Sequence, residues 1–159
     1  DYDQAARRLQ DAVSVDPRNA RAWMLLGRVE FAREDLSAAA KAFDRASVLR
    51  PMRYEPHYNL GVVLERGGRF SRAAGCYEEA LRQAPDQLEV MENLARCYVR
   101  SGRKPRRAHA LIQRALAVEQ RPEWRLWLTR QQRRLGRKLH GPAATASADE
   151  TETDGRTVE

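Results

Sequence analysis

The residue types most capable of catalysis or metal binding are few in this chain and lie far apart. Its three histidines are His57, His109 and His140, and its two cysteines are Cys76 and Cys97. No subset of these five stands at a spacing typical of a metal site or of an activated nucleophile. We therefore expect no catalytic residue, no metal and no cofactor, and we expect both thiols to be free and buried. The sequence does not predict an enzyme.

Charge is the second chemical resource of the sequence, and it is concentrated in one region. The chain has 29 Lys and Arg against 22 Asp and Glu, a net charge of +7, and 26 of the 29 basic residues are arginine. Residues 1–99 are balanced, whereas residues 100–140 hold thirteen basic and two acidic residues. Residues 141–159 hold five acids and one arginine. The positive excess therefore belongs to one end of the chain.

This region contains a basic patch that could bind phosphates, an anionic surface or an acidic protein segment. The basic patch consists of Arg103, Lys104, Arg106, Arg107, Arg130, Arg133, Arg134, Arg137 and Lys138. One alternative is a solvated face that reflects the arginine-rich composition. Another is a patch screened by the acids of residues 141–159.

The sequence repeats every thirty-four residues, and this repeat defines the secondary-structure elements that must position these side chains. Pro17, Pro51 and Pro85 are spaced by it. Further columns in the same register are Ala12, Ala46 and Ala80, then Ala5, Ala39 and Ala73, then Leu26, Leu60 and Leu94. Each unit of such an array buries its apolar face by stacking on its neighbours. Function is therefore expected on an extended surface rather than in a deep pocket.

Within the unit 20–53, apolar residues at spacings of three and four predict two helices. The segment 34–37 between them is long enough only for a tight turn, so the helices must be antiparallel. Ser37 is expected to be the N-cap of the second helix, and Pro51 to end it.

These residues resemble the signature of the tetratricopeptide repeat (TPR) family, Trp-x2-Leu-Gly-x2-Tyr, then Ala-x3-Phe-x2-Ala, then Pro. The unit 20–53 supplies Trp23, Leu26, Gly27, Ala39, Phe43, Ala46 and Pro51. The unit 54–87 supplies His57, Leu60, Gly61, Ala73, Tyr77, Ala80 and Pro85. The unit 88–121 supplies Met91, Leu94, Ala95, Tyr98, Ala108, Ile112 and Ala115, with one inserted residue near Pro105. The resemblance implies an all-α solenoid of antiparallel helix pairs.

The ends of the chain complete the predicted organisation. Residues 1–19 match only the second helix of a unit, so we expect the sequence to be an excerpt of a longer array. Residues 122–140 are expected to form a capping helix, with docking to a partner or a membrane surface as the alternative. Residues 141–159 are expected to be a disordered acidic tail. No apolar run reaches the ~20 residues of a transmembrane segment.

The TPR resemblance further implies a concave groove lined by the first helix of each unit. The residues predicted to line it are Arg28, Phe31, Tyr58, Asn59, Val62, Arg66, Glu92, Asn93, Arg96 and Arg100. Asparagine amides and arginine forks suit the backbone and the carboxylates of a peptide. The expected partner is thus a peptide or helix of another protein. The alternatives are an anion-binding or nucleic-acid-binding module that uses the basic patch, and the accessory repeat region of a larger enzyme.

Overall fold

The computed structural model describes residues 1–141, apart from the side chain of His140, so the predicted tail lies outside the described residues except for Gly141. Within this range the chain forms helices and no strands. The helices are α1 (Tyr2–Val15), α2 (Ala20–Ala32), α3 (Leu36–Leu49), α4 (Tyr54–Arg66), α5 (Phe70–Gln83), α6 (Leu88–Ser101), α7 (Pro105–Val118) and α8 (Pro122–His140). The all-α prediction is confirmed.

The helices stack in chain order, as a solenoid requires. Extensive packing joins each helix to the next one along the chain, from α1 with α2 to α7 with α8. The pairs α2–α3, α4–α5 and α6–α7 lie within the units 20–53, 54–87 and 88–121. Since each pair touches mainly its neighbours, the core is a row of apolar layers rather than one centre.

Two glycines allow the helices of a unit to approach closely. A Cβ added at Gly27 would lie 2.7 Å from the ring of Phe43, and one added at Gly61 would lie 2.6 Å from the ring of Tyr77. In the third unit, Ala95 stands at the position of these glycines and Ile112 at the position of the aromatic ring. The smaller side chain of Ile112 makes room for the extra methyl group of Ala95.

A second repeated contact ties each of the units 20–53 and 54–87 to the end of the unit before it. The indole Nε1 of Trp23 donates to the carbonyl of Pro17 at 3.0 Å. One repeat later, Nε2 of His57 lies 3.4 Å from the carbonyl of Pro51. His57 is therefore a structural replacement for tryptophan, because its ring also presents a nitrogen to the same carbonyl.

The expectation that Ser37 caps α3 is wrong. Asp35 is the N-cap, and its carboxylate accepts from the backbone N–H of Ala38 at 2.8 Å. The helix begins at Leu36, directly after the turn, so Ser37 lies inside its first turn. An aspartate satisfies the free N–H groups at a helix start as well as serine does, and the earlier residue takes the role.

The turn before each second helix contains a residue with left-handed backbone geometry. Glu34, Gly68 and Gly102 follow one another at the repeat spacing and have φ angles of 64°, 73° and 67°. Glycine adopts this region freely, whereas glutamate is strained there. Lys104, the residue before Pro105, also has a positive φ, of 48°. This residue lies at the predicted one-residue insertion.

The cysteines are free, as expected, although their burial differs. Cys97 is fully buried and Cys76 is half-buried. Burial disfavours the thiolate and raises the pKa of Cys76 to about 11 and that of Cys97 to about 12. Neither thiol is therefore poised as a nucleophile at neutral pH.

Helix α8 covers the open end of the last pair. Leu128 and Leu135 are buried in the main apolar cluster, and Trp127 packs against that cluster. That this helix caps the array stays a prediction. Among residues 1–141, no helix has both the length and the apolar character needed to cross a lipid bilayer.

Candidate partner-binding groove

The first helices of the three units line a surface cavity of about 590 Å³, which we call the groove. Its lining comes from α2, α4 and α6, with Phe70 at the start of α5. The lining residues are Phe31, Val62, Glu65, Arg66, Gly68, Phe70, Arg96 and Arg100. Five of the ten predicted groove residues are thus brought together here: Phe31, Val62, Arg66, Arg96 and Arg100.

Glu65 organises the floor of the groove. Its carboxylate accepts from Arg96 at 2.5 and 3.1 Å, so the guanidinium binds it through two nitrogens. The hydroxyl of Tyr77 also donates to Glu65, at 2.9 Å. Burial, then the charge of Glu65 and this hydrogen bond, raise the pKa of Tyr77 well above its usual range. The charge of Arg96 is consequently used inside the protein and is not free for a partner's carboxylate.

Asn93 and Tyr58 extend this network along the first helices. Asn93 accepts from Arg96 at 2.8 Å and donates to the hydroxyl of Tyr58 at 3.4 Å. The ring of Tyr58 lies 5.9 Å from that of Tyr77. The network fixes the orientation of the Asn93 amide, so this side chain positions its neighbours more than it offers free donors.

The capping helix contributes a residue to the end of this network. The guanidinium of Arg96 lies 5.4 Å from the ring centre of Trp124, and that of Arg121 lies at the same distance. Trp124 also makes an edge contact with Trp127, with the ring centres 5.9 Å apart. Cation–π contacts of this kind contribute roughly 0.5–2 kcal/mol each. Trp124 therefore connects α8 to the groove floor.

Two arginines are left to face solvent along one edge of the groove. Arg66 and Arg100 are exposed, stand one repeat apart and lie in the last turns of α4 and α6. Arg100 stacks on the ring of Phe70 at 4.8 Å. Arg66 pairs with Glu34 at 3.3 Å, but both partners are exposed, so this ion pair is weak. This edge is the part of the groove that can attract negative charge.

Glu92 does not line the groove, contrary to the prediction. Its side chain is 2% exposed, and it accepts from Arg121 at 2.8 Å. Arg121 also binds Glu119, which is equally buried. Burial and the neighbouring carboxyl group of Glu119 raise the pKa of Glu92 to about 7, while Arg121 and Glu92 lower the pKa of Glu119. The repeat register indicated this burial, because Met24 and Tyr58 occupy the positions equivalent to Glu92 and their side chains also pack inward.

The other predicted residues lie in separate places. Arg28 is exposed on α2, and Asn59 is half-buried on α4 without a side-chain hydrogen bond among the described residues. All nine residues of the basic patch are exposed on the α6–α7 turn, the first turn of α7 and α8. They belong to a second surface and do not join the groove. Within residues 1–141, no group of acidic, histidine or cysteine side chains is arranged to hold a metal ion.

Sequence reasoning missed Phe70, Trp124 and the pair of Glu119 and Arg121. Phe70 belongs to the apolar repeat column with Tyr2 and Leu36, which gave no sign of a role in the groove. Glu119 and Arg121 occupy positions at which the unit 54–87 has residues of other types, Ala84 and Asp86, and Trp124 lies beyond the last unit. The thirty-four-residue register therefore carried no information about them.

The family model of the tetratricopeptide repeat matches residues 1–51 and 58–122 of the chain. Tetratricopeptide repeat-containing protein trd-1 of Caenorhabditis elegans is 33% identical over 101 residues, which cover 64% of this chain and 13% of trd-1. Superkiller complex protein 3 of Mus musculus is 26% identical over 102 residues, which cover 64% of this chain and 6% of that protein. The chain therefore corresponds to a small part of these much longer relatives.

Solved structures agree with this assignment. The crystal structure of MamA superposes with a TM-score of 0.68 at 25% identity, covering 73% of this chain and 67% of MamA. The crystal structure of YrrB, described as a TPR protein with an unusual peptide-binding site, gives a TM-score of 0.70 at 19% identity. The match covers 81% of this chain and 66% of YrrB. The latter shows the fold alone. With a family model matching more than half of its length, the chain belongs to the tetratricopeptide repeat family, whose repeats generally serve as protein-binding scaffolds rather than as enzymes.

Proposed function

We propose that this repeat region binds a short segment of another protein in the groove. The observation that carries the proposal is the combination of an apolar lining with free positive charge at one edge. Phe31, Val62 and Phe70 provide the apolar surface, and Arg66 and Arg100 provide the charge. Recognition of peptides and helices in grooves commonly combines apolar anchors with a few oriented polar groups.

The charges indicate the chemistry of the partner segment. Because Glu65 neutralises Arg96, the net charge that the groove presents comes from Arg66 and Arg100. A complementary segment has an aromatic or aliphatic side chain next to acidic residues.

The floor of the groove is held in place before a partner arrives. The contacts that join Glu65, Arg96, Asn93, Tyr58 and Trp124 restrict these side chains to one arrangement. Preorganised side chains lose less conformational entropy on binding, which favours affinity. We therefore assign Arg96 and Asn93 a positioning role and assign direct contact to the residues at the edge.

The proposal is tested by selecting peptides from a random display library on the immobilised chain and measuring their affinity for variants. Arg100→Glu is expected to weaken binding at least about tenfold, since it replaces an attraction with a repulsion (1.4 kcal/mol per factor of ten). Arg72→Glu, an exposed change of the same charge on α5, is the matched control. Peptides that bind both variants equally well, or that carry no acidic residue, would contradict the proposed groove.

Arg96→Glu is a poor test of the same proposal. The new carboxylate would face Glu65 in a half-buried site and would remove the contact with Trp124. Two like charges at such a distance destabilise the fold. A loss of binding by this variant would therefore report damage to the groove floor as well as loss of a contact.

A further inference from the structure

The strongest charged surface of the described chain lies outside the groove, on α8 and the neighbouring α6–α7 turn. Arg133 and Arg134 lie three and four residues after Arg130, and four and three residues before Arg137, so the four arginines share one face of α8. Leu128 and Leu135 are buried in the core at other positions of the same helix. The arginine stripe thus points away from the core, and all four side chains are exposed.

The remaining members of the basic patch lie near the same end of the array. A linker of three residues joins α7 to α8, and Arg125 of α8 donates to the carbonyl of Leu116 of α7 at 3.0 Å. The two helices are therefore antiparallel, which brings the first turn of α7 towards the second half of α8. Arg106 and Arg107, in the first turn of α7, add positive charge at this end of the helix pair, and Arg107 borders the same cavity as Glu78 and Tyr98.

Little of this charge is compensated within the described part of the chain. Lys104 pairs with Glu78, and none of the other eight residues of the basic patch forms an ion pair with another residue in the range 1–141. Seven of the nine are arginines, whose planar fork binds phosphate oxygens through two nitrogens. The arrangement supplies several such forks on one rigid surface.

The patch lacks the features that a protein or lipid partner requires. Protein interfaces depend on buried apolar anchors, but the large exposed hydrophobic residues nearest to it, Val118 and Leu126, lie towards the other end of the α7–α8 pair. A membrane-bound amphipathic helix inserts an apolar face, whereas Leu128 and Leu135 of α8 are already occupied by the core. Affinity at this surface must come from charge.

We propose that the basic patch binds the phosphate backbone of a nucleic acid, without preference for base sequence. At 1.5 Å per residue, the stripe from Arg130 to Arg137 extends over about 10 Å. A duplex carries about one negative charge per 1.7 Å, so about six phosphate charges lie along that length. Among its described residues the surface has no exposed aromatic side chain on which bases could stack. Binding therefore depends on the phosphates, which carry no sequence information.

The test measures the fluorescence anisotropy of a labelled oligonucleotide of about 20 nucleotides, single-stranded and as a duplex, with the full chain at several salt concentrations. Four phosphate contacts predict that log K falls with log[salt] with a slope of about −3.6 on duplex. Raising the salt from about 50 to 200 mM should then weaken binding by roughly 100-fold. Two different sequences of equal length should bind equally.

Three variants make the test specific to this surface. Arg133→Glu combined with Arg137→Glu should weaken binding at least about tenfold. Arg133→Lys combined with Arg137→Lys should retain most of the affinity, since lysine keeps the charge and loses only the two-nitrogen fork. Arg7→Glu combined with Arg8→Glu makes the same change of net charge on exposed α1 and should have little effect. Circular dichroism establishes that each variant is folded.

Several outcomes would overturn the proposal. They are absence of binding at low salt, a flat salt response, and an equal loss of affinity in the α1 variant. Polyglutamate of similar length that competes as well as the oligonucleotide would assign the patch to an acidic protein segment instead. Binding to vesicles rich in phosphatidylserine, without binding to the oligonucleotide, would assign it to a membrane surface.

Discussion

The buried pair of Glu92 and Glu119 predicts an unusual dependence of stability on pH. Glu92 accepts from Arg121 through one oxygen, while its other oxygen, Oε1, is buried without a hydrogen-bond partner among the described residues. Glu119 lies beside it and binds the same arginine. One guanidinium therefore neutralises two carboxylates only in part, which favours the protonated form of Glu92. The substitution Glu92→Gln keeps the shape and removes the charge.

The magnitude follows from the pKa of Glu92, which rises from 4.5 in the unfolded chain to about 7 in the folded one. Between these values the folded state holds a proton that the unfolded state has lost, so stability falls as the pH rises. At about 1.4 kcal/mol per pKa unit, the loss is about 3 kcal/mol by pH 7. The pKa of Glu119 is lowered, so its contribution is instead lost as the pH falls below its unfolded value. The pair should be most favourable near pH 5.

The assay is urea unfolding, followed by circular dichroism, of wild type and Glu92→Gln at pH 5 and pH 8. The two proteins should have similar unfolding free energies at pH 5, and Glu92→Gln should be more stable by about 1–3 kcal/mol at pH 8. Glu89→Gln removes the same charge from an exposed position on α6 and serves as the control. A glutamine variant that shows the wild-type dependence on pH, or that is less stable at pH 8, would refute this reasoning.

Three further predictions concern the repeat units, and each is tested by the shift in unfolding free energy. Gly61→Ala should destabilise the chain by about 1–3 kcal/mol, because its Cβ would lie 2.6 Å from the ring of Tyr77. Because Tyr77→Ile also removes the hydrogen bond to Glu65, the steric cause is tested by comparing backgrounds: Gly61→Ala should cost less in a Tyr77→Ile chain than in the wild type, and an equal cost in both would argue against the steric cause. Glu34→Gly should stabilise the chain by about 0.5–1 kcal/mol, since its φ of 64° suits glycine; an unchanged or lower value would mean that the turn is not strained. His57→Phe should cost about 1 kcal/mol by removing the contact with the Pro51 carbonyl, and His57→Trp should not, unless that contact contributes nothing.

The interior of this protein could be predicted because it recurs. Each apolar column, such as Ala39 and Ala73, meets the same neighbours one repeat later, and burial at these positions follows from the pattern alone. The caps were less predictable, as Ser37 and Asp35 show, because two adjacent polar residues are equally able to bind the free N–H groups of a helix. Which of the two residues becomes the N-cap depends on where the preceding turn ends.

The groove was predicted in outline but not in its electrostatics. Position in the repeat placed Arg66, Arg96 and Arg100 on the first-helix side of their units, yet it could not reveal that Glu65 neutralises Arg96. Pairing depends on the direction of each side chain across two helices, which one-dimensional spacing does not encode. The burial of Glu92 depended in the same way on Glu119 and Arg121, which lie at the end of the last unit.

The attraction of the groove for negative charge therefore depends on residues that stand at the ends of helices. Arg66 and Arg100 lie in the last turns of α4 and α6, where a positive charge also interacts favourably with the negative end of the helix dipole. Arg96, in the middle of α6, is used to hold the floor and to contact Trp124. A change of partner preference can consequently occur at the edge, through positions 66 and 100, while the floor and the repeat core stay intact.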